Sequence, residues 1–458
     1  MFREETIAAV GTAYGEGGIG IIRVSGDRAK NILDNIFIPA KEKRIQNRKL
    51  TYGMVVDPVS RKPVDEALAV FMPAPDTYTR EDTVEIDCHG SVVALRKTLD
   101  LVLSGGAALA EPGEFTKRAF LNGRIDLSQA EAVIDLVKAK TDKGFDTALK
   151  QLEGGISQKV KEIRKELLNL LVKITVNLDY PDEDIEEITY NELSESIKQI
   201  GDMIEKLALT AEAGRIIKDG LKVVISGGPN VGKSSLLNLM LGESRAIVTE
   251  IPGTTRDTIE ETVSIKGIPV VLVDTAGIRS TNDAVEKIGI EKSKEAFNRA
   301  DLIILMLDGS EEPTEEDTKL LKAASGRSAV VLINKIDIDK KIYEKHVRDI
   351  LPGCDIIDTS VTSDIGIREL EEKIEAMVYG GEVRQNESLL VTNARHKDLL
   401  LKAGAALADA LAMAEKKEAL DFLEVDIRTG YELLGEIIGE TVSEEILNEV
   451  FANFCLGK

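Results

Sequence analysis

Apolar and polar positions alternate along this chain in three textures. Residues 1–118 carry short apolar runs punctuated by Gly and Pro, at 20–24, 67–71 and 84–87, and each reads as a strand. The stretch 92–103 reads as a helix stopped by Gly105 and Gly106. From about residue 120 the period changes. Leu152, Ile156, Val160, Ile163, Leu167, Leu170 and Ile174 recur at steps of three and four, which puts them on one helix face. Helical texture runs to about residue 213, interrupted by the acidic loop 180–184, and returns from about residue 393. Between these stretches, four apolar runs at 223–225, 270–273, 302–305 and 330–333 are mostly separated by helical segments. That order predicts a largely parallel sheet with crossover helices. The economical arrangement is an α/β domain inserted into a helical domain whose halves lie far apart in sequence.

Length and charge narrow the class. A chain of 458 residues predicts about three domains. Lys plus Arg number 58 against 80 Asp plus Glu, a net charge of −22. Residues 1–118 are nearly neutral, so the rest carries the excess. Passive electrostatic binding of nucleic acid is disfavoured, and any RNA contact needs a local patch or a partner. The densest basic stretch, Lys41 to Lys49, reads as a solvated loop. Three scattered cysteines fit a reducing cytoplasm and exclude a disulfide framework. Three scattered histidines argue against a His-rich metal site. No signal peptide and no run of 18 apolar residues is present, so a soluble protein with no membrane span is expected. Absent tryptophan and 4% aromatics disfavour stacking platforms for single strands.

The chemistry is concentrated in the α/β stretch. Gly227-Gly-Pro-Asn230-Val231-Gly232-Lys233-Ser234, followed by Ser235, matches G-x-x-x-x-G-K-[ST] between a strand candidate and an apolar helix, the context that motif needs. Its glycines let backbone N–H groups wrap phosphates, Lys233 reaches the β and γ phosphates, and Ser234 suits magnesium. Asp274-Thr275-Ala276-Gly277 ends the run 270–273, where a carboxylate belongs in the magnesium shell and Gly277 can contact the γ phosphate. Asn334-Lys335-Ile336-Asp337 follows the run 330–333. The Asp337 carboxylate can accept from guanine's ring N–H and amine, a pair that adenine does not offer. Ser360 follows a further strand candidate, 354–358, as a base-contacting loop residue. Thr255, in Gly253-Thr254-Thr255-Arg256-Asp257, is the candidate switch threonine.

Ile278 stands where Ras-like proteins carry the glutamine that orients the attacking water. Asp283, Glu286 and Arg279 are candidates to replace it. A monovalent cation held by Asn230 and switch-loop carbonyls can take the place of an arginine finger.

Outside these motifs the chain resembles the MnmE (TrmE) family of tRNA modification GTPases over essentially its whole length. The resemblance rests on Gly15-Glu-Gly-Gly-Ile-Gly-Ile-Ile-Arg23-Val, Tyr78-Thr-Arg-Glu-Asp82, the run from Pro112 to Leu127, and the terminal Phe454-Cys455-Leu456-Gly457-Lys458. It implies a multidomain α/β architecture. An α+β folate-binding and dimerisation domain would span 1–118, a discontinuous all-α domain 119–219 and 381–458, and an inserted Ras-like P-loop GTPase domain 220–380.

The resemblance also implies a function. The protein would be a potassium-stimulated GTPase and a homodimer through its N-terminal domain. With the flavin-carrying partner MnmG, in a heterotetramer, it would place an aminomethyl or carboxymethylaminomethyl group on carbon 5 of the wobble uridine of tRNA. A tetrahydrofolate derivative, in the 5-formyl or methylene form, would supply the carbon. Potassium would be held by Asn230, Thr249, Ile251 and Thr254, magnesium by Ser234 and Thr255, and folate by Arg23, Glu81, Arg124 and Lys458. The catalytic glutamate falls on Glu286, with Lys233 at the phosphates. Cys455 reads as a small buried terminal residue rather than a reactive thiol. Arg80 and Ser91 stand where the family often has glycine, and Val361 where alanine is usual. The competing reading is a GTPase switch serving ribosome assembly, which the nucleotide motifs alone do not exclude.

Overall fold

The computed structural model describes residues 5–41, 44–179, 189–243, 261–273, 296–338, 341–342, 344–380, 389–454 and 457. The chain forms two contact-defined units. One comprises residues 1–134, 151–164 and 434–458, and the other residues 135–150 and 165–433.

The first unit is built on a seven-stranded sheet. Its strands are β1 (Ile7–Val10), β2 (Gly17–Ser25), β3 (Phe37–Pro39), β4 (Thr51–Val56), β5 (Pro63–Met72), β6 (Thr83–Gly90) and β7 (Ala108–Leu109), in the order β3-β4-β5-β6-β2-β1-β7. Every pairing is antiparallel except that of β1 with β7. The two-residue period of a strand decides its cores. In β1, Ala8 and Val10 join a cluster with α1 (Ala29–Ile36) and α2 (Val92–Ser104), while Ile7 and Ala9 pack with Ala110, Phe115 and Tyr78 on the other face. Phe115 belongs to α3 (Glu114–Leu121). A third cluster joins Leu127, Ala130 and Ile134 of α4 (Leu127–Lys138) to Leu447 and Phe451 of a C-terminal helix, Glu444–Ala452.

The second unit contains α5 (Asp142–Leu152) for all but its last two residues, and most of α6 (Gly155–Asp179). It continues with α7 (Tyr190–Leu209), α8 (Ala211–Asp219), β8 (Leu221–Gly227), α9 (Lys233–Glu243), β9 (Glu261–Ile265), β10 (Ile268–Leu272) and β11 (Leu302–Asp308). There follow α10 (Glu315–Ala323), β12 (Ala329–Asn334), α11 (Glu344–Arg348), β13 (Asp355–Asp358) and α12 (Ile367–Val378). The remaining helices are α13 (Ala394–Glu415), α14 (Leu420–Ile438), whose last turn is assigned to the first unit, and α15, the Glu444–Ala452 helix named above. The six-stranded sheet has the order β13-β12-β11-β8-β10-β9, parallel throughout except for the edge pair β10–β9. Six of the seven residues of β11 are buried, as a parallel strand covered on both faces requires. One face packs α8, α9 and α12, the other α10 and α11. Ser360, Asn334 and Gly227 therefore all lie at or just beyond the carboxyl ends of strands.

The helical stretch differs from its sequence reading at one point. Leu152 ends α5 rather than continuing the face of Ile156 to Ile174, because Gly154, at φ 95°, closes the helix in a left-handed conformation before α6 begins. The basic stretch near residue 45 is a loop among its described residues, with Arg48 donating to the carbonyls of Pro73 at 3.1 Å and Asp76 at 2.8 Å.

Candidate functional site

The phosphate loop runs from β8 into α9 and is shaped by backbone geometry. Asn230 adopts a left-handed φ of 61°, and Gly232 a φ of 105°. A Cβ on Gly232 would run into the side-chain nitrogen of Asn334, so only glycine fits there. The first helical turn of α9 closes with the Leu236 amide on Gly232 O at 2.9 Å. The amides before it, at Lys233, Ser234 and Ser235, lie at the open N-terminal end of the helix, where an anion is favoured. Lys233 Nζ donates to Gly227 O at 2.8 Å and to Gly228 O, and burial lowers its pKa. Ser234, Ser235 and Asn230 are exposed, and Val231 is buried.

The base-reading loops meet this loop through one side chain. Asn334, 3% exposed, donates from Nδ2 to Val231 O at 2.8 Å and accepts the Val361 amide on Oδ1 at 3.1 Å. Lys335, at φ 64°, pairs with Asp308 at the end of β11. Burial pushes the Asp308 carboxyl up, but hydrogen bonds from Lys335 and Ser310 outweigh it and hold the group below the usual carboxylate range. Asp337 is exposed, its carboxylate open to a base. Ser360 is buried and holds its loop closed through backbone bonds with Ile365 at 3.1 and 3.0 Å. Among the described residues, Asn230 to Ser235, Asn334, Lys335, Asp337 and Ser360 thus belong to one end of one sheet. A triphosphate fits these donors, and Ser234 offers an exposed hydroxyl for magnesium. Thr249, Ile251, Thr254, Thr255, Asp274, Thr275, Ala276, Gly277, Ile278, Arg279, Asp283 and Glu286 lie outside the described residues, as do Cys455 and Lys458.

A second polar cluster occupies the first unit. Register places Arg23 of β2 opposite Glu85 of β6, and its Nε and Nη2 both meet Glu85 Oε1 at 2.8 Å. Arg23 Nη1 also donates to Gly457 O at 3.2 Å, and its guanidinium lies 5.9 Å from the Phe115 ring centre. Glu81 accepts from Ser25 Oγ at 2.7 Å and from Arg118 Nη1 at 3.1 Å. Arg124 is exposed and stacks on the Tyr78 ring at 4.7 Å. Burial raises the Tyr78 pKa, partly offset by a hydrogen bond with Thr116 and by the charges of Arg124 and Arg23. The sequence reading missed Arg118. Its spacing from Glu114 looks like an exposed i,i+4 pair, yet it is 8% exposed and also joins Glu81 and Glu5 O. It missed Glu85 and Asp308 too; the only signal for Asp308 was a carboxylate at a strand's carboxyl end.

A mostly parallel sheet with a glycine-rich phosphate-loop turn after β8 and the Asn334-Lys335-Ile336-Asp337 loop after β12 defines a P-loop GTPase fold, carried here in a multidomain α/β chain with an N-terminal and a helical domain. Residues 6–124 match the profile described as the GTP-binding protein TrmE N-terminus, and residues 127–455 match the MnmE helical domain. Curated relatives named tRNA modification GTPase MnmE align over all of this chain and all of theirs. The relative from Alkaliphilus oremlandii is 51% identical, that from Clostridioides difficile 52%, and that from Geobacillus kaustophilus 49%. The chain belongs to the MnmE family of tRNA modification GTPases, and it hydrolyses GTP in tRNA modification. Among the described residues no helix is long and apolar enough to cross a membrane.

Proposed function

We propose that this chain is the GTP-hydrolysing half of a cytoplasmic assembly that modifies carbon 5 of the tRNA wobble uridine, with the flavin-carrying MnmG as partner and a tetrahydrofolate as carbon donor. The domains take the boundaries 1–118, 119–219 with 381–458, and 220–380, and two copies pair through the first. The observation that carries this reading is the phosphate loop tied to its base-reading loop through Asn334, in a chain matched end to end by MnmE relatives.

In the GTPase cycle, the amides of 231–235 and Lys233 bind the phosphates, while Asp337 selects guanine. Ser234 and Thr255 would hold magnesium, with Asp274 in its outer shell and Thr275 to Gly277 beside the γ phosphate. The exposed side chain of Asn230 fits a cation ligand, and with Thr249, Ile251 and Thr254 it would hold potassium. Bound there, potassium supplies positive charge beside the leaving phosphate. Glu286 positions the attacking water, the task for which Ile278 has no polar group. At the N-terminal cluster, the exposed guanidinium of Arg124 over Tyr78 fits an anionic aromatic ligand. With Arg23, Glu81 and Lys458 it would hold the folate.

The test is GTP turnover by the purified chain in potassium and in sodium buffer at matched ionic strength. Turnover several-fold or more faster in potassium is expected. Equal, slow turnover in both removes the cation from the mechanism and reopens the assembly-switch reading. Glu286→Ala should keep GTP affinity and lose turnover by about a hundredfold or more, roughly 2.7 kcal/mol.

A further inference from the structure

A cavity of about 590 Å³ opens beside Arg124 in the first unit. Phe120, Ile125 and Ile438 give it an apolar wall, and Asp126, Lys161 and Glu440 a charged rim. The two carboxylates are already engaged. Asp126 accepts from Ser128 Oγ at 2.9 Å and from the Gln129 amide at 3.1 Å, and Glu440 pairs with Arg164. The cations are less committed. Lys161 Nζ lies 3.7 Å from Asp126 and its side chain is 57% exposed. Arg124 is exposed, and among the described residues its guanidinium is held only by the face of Tyr78.

A third cation stands at the edge. Arg80 Nη1 donates to Asn122 O at 2.9 Å and lies 3.6 Å from where a Cβ on Gly123, a lining residue, would sit. Arg80 adopts a φ of 59°, a conformation that disfavours any residue with a Cβ. Strain of this kind persists where the side chain earns a local role.

We infer that this groove holds the oligo-γ-glutamate tail of a tetrahydrofolate, with Arg80, Arg124 and Lys161 pairing its carboxylates and the apolar wall covering its methylenes. The inference rests on the folate reading of Arg124. The volume is that of a small-ligand cleft. A net charge of −22 opposes a nucleic-acid backbone, which needs a long run of cations, whereas a short tail needs only the local cations Arg80, Arg124 and Lys161.

The experiment is calorimetric titration of the full chain with 5-formyltetrahydrofolate as its monoglutamate and as its triglutamate. The triglutamate should bind about tenfold tighter, the scale of one added charge-assisted pair. Lys161→Ala and Arg80→Gly should each remove most of that increment and leave the monoglutamate affinity within about threefold. Arg80→Gly relieves the left-handed strain, so a thermal melt should find it at least as stable as the parent. If the monoglutamate fails to bind, the folate reading of Arg124 fails and takes the tail subsite with it. If the monoglutamate binds but the triglutamate binds no tighter, or both variants keep the increment, the tail subsite alone is overturned.

Discussion

The side-chain amide of Asn334 donates to the carbonyl of Val231 at 2.8 Å, so the loop that reads the base holds the loop that binds the phosphates. The same amide accepts the Val361 N–H at 3.1 Å, extending the tie to the third nucleotide loop. Asn334→Ala strips both buried partners at once. It should cost about 1–3 kcal/mol and weaken GDP binding by about tenfold or more. Titration with a fluorescent guanine nucleotide, paired with a denaturant melt, checks both. Asn334→Asp keeps the acceptor for Val361 but sets a buried carboxylate oxygen against the Val231 carbonyl, and should be at least as damaging as Asn334→Ala.

Asp337 is exposed at the mouth of the same site. Asp337→Asn exchanges an acceptor for a donor, so GTP affinity should fall by about a hundredfold or more while xanthine nucleotides gain. Competition between GTP and XTP for the variant reads this directly. An unchanged GTP preference would remove Asp337 from base recognition.

Arg118 bridges Glu81 at 3.1 Å and Glu114 at 2.8 Å with its side chain 10% exposed. Removing it leaves two carboxylates in a partly dry site. Arg118→Ala should destabilise the N-terminal sheet unit by about 3–5 kcal/mol. Arg118→Lys keeps the charge but not the planar fork, and should recover only part of the loss. Urea unfolding followed by far-ultraviolet circular dichroism measures the difference.

Two helical glycines make opposite predictions. A Cβ on Gly214 would meet the carbonyl carbon of Val391 at 2.6 Å and its oxygen closer still, whereas a Cβ on Gly201 meets nothing within 4 Å. Gly214→Ala should therefore destabilise the protein by about 1–3 kcal/mol through a backbone shift. Gly201→Ala, inside α7, should stabilise it by about 0.5–1 kcal/mol. Parallel thermal melts of the two variants check the contrast.

His89 hydrogen-bonds Asp65 Oδ1 through Nδ1 at 2.7 Å, and that bond, with the carboxylate's charge, raises its pKa above 6.5. The pairing stabilises the fold fully below about pH 6.5, the unfolded value, and the contribution fades as pH rises through the raised folded value. Nuclear magnetic resonance titration should find His89 above the ordinary histidine value, and Asp65→Asn should return it there.

The phosphate loop was legible in sequence because its chemistry is local. Eight consecutive residues, Gly227 to Ser234, carry the turn, the lysine and a hydroxyl suited to magnesium, and the flanking apolar runs place them between a strand and a helix. The runs 223–225, 270–273, 302–305 and 330–333 likewise specified four strands of the sheet, since burial on both faces leaves a continuous apolar signature. The edge strand β9 and the short strands β3 and β7 left no such trace. Of the N-terminal cluster the family resemblance named Arg23, Glu81 and Arg124 but neither Arg118 nor Glu85, because nothing in the run around Arg23 says which carboxylate it meets.

The sequence by itself determined where the buried strands of the six-stranded sheet, the long helices and the phosphate-loop motif lie, because those properties depend on residues a few positions apart. The tertiary structure alone decided which charges meet. Arg23 faces Glu85, 62 residues away, because β2 pairs with β6 in that register, and a slip of one residue would turn it to the other face. Arg118 is buried because α3 packs on Ile7 and Ala9 of β1, which turns an ordinary helical ion pair into a bridge to Glu81. Contacts between distant residues are selected by pairing register and packing, and neither is written in any short stretch of the chain.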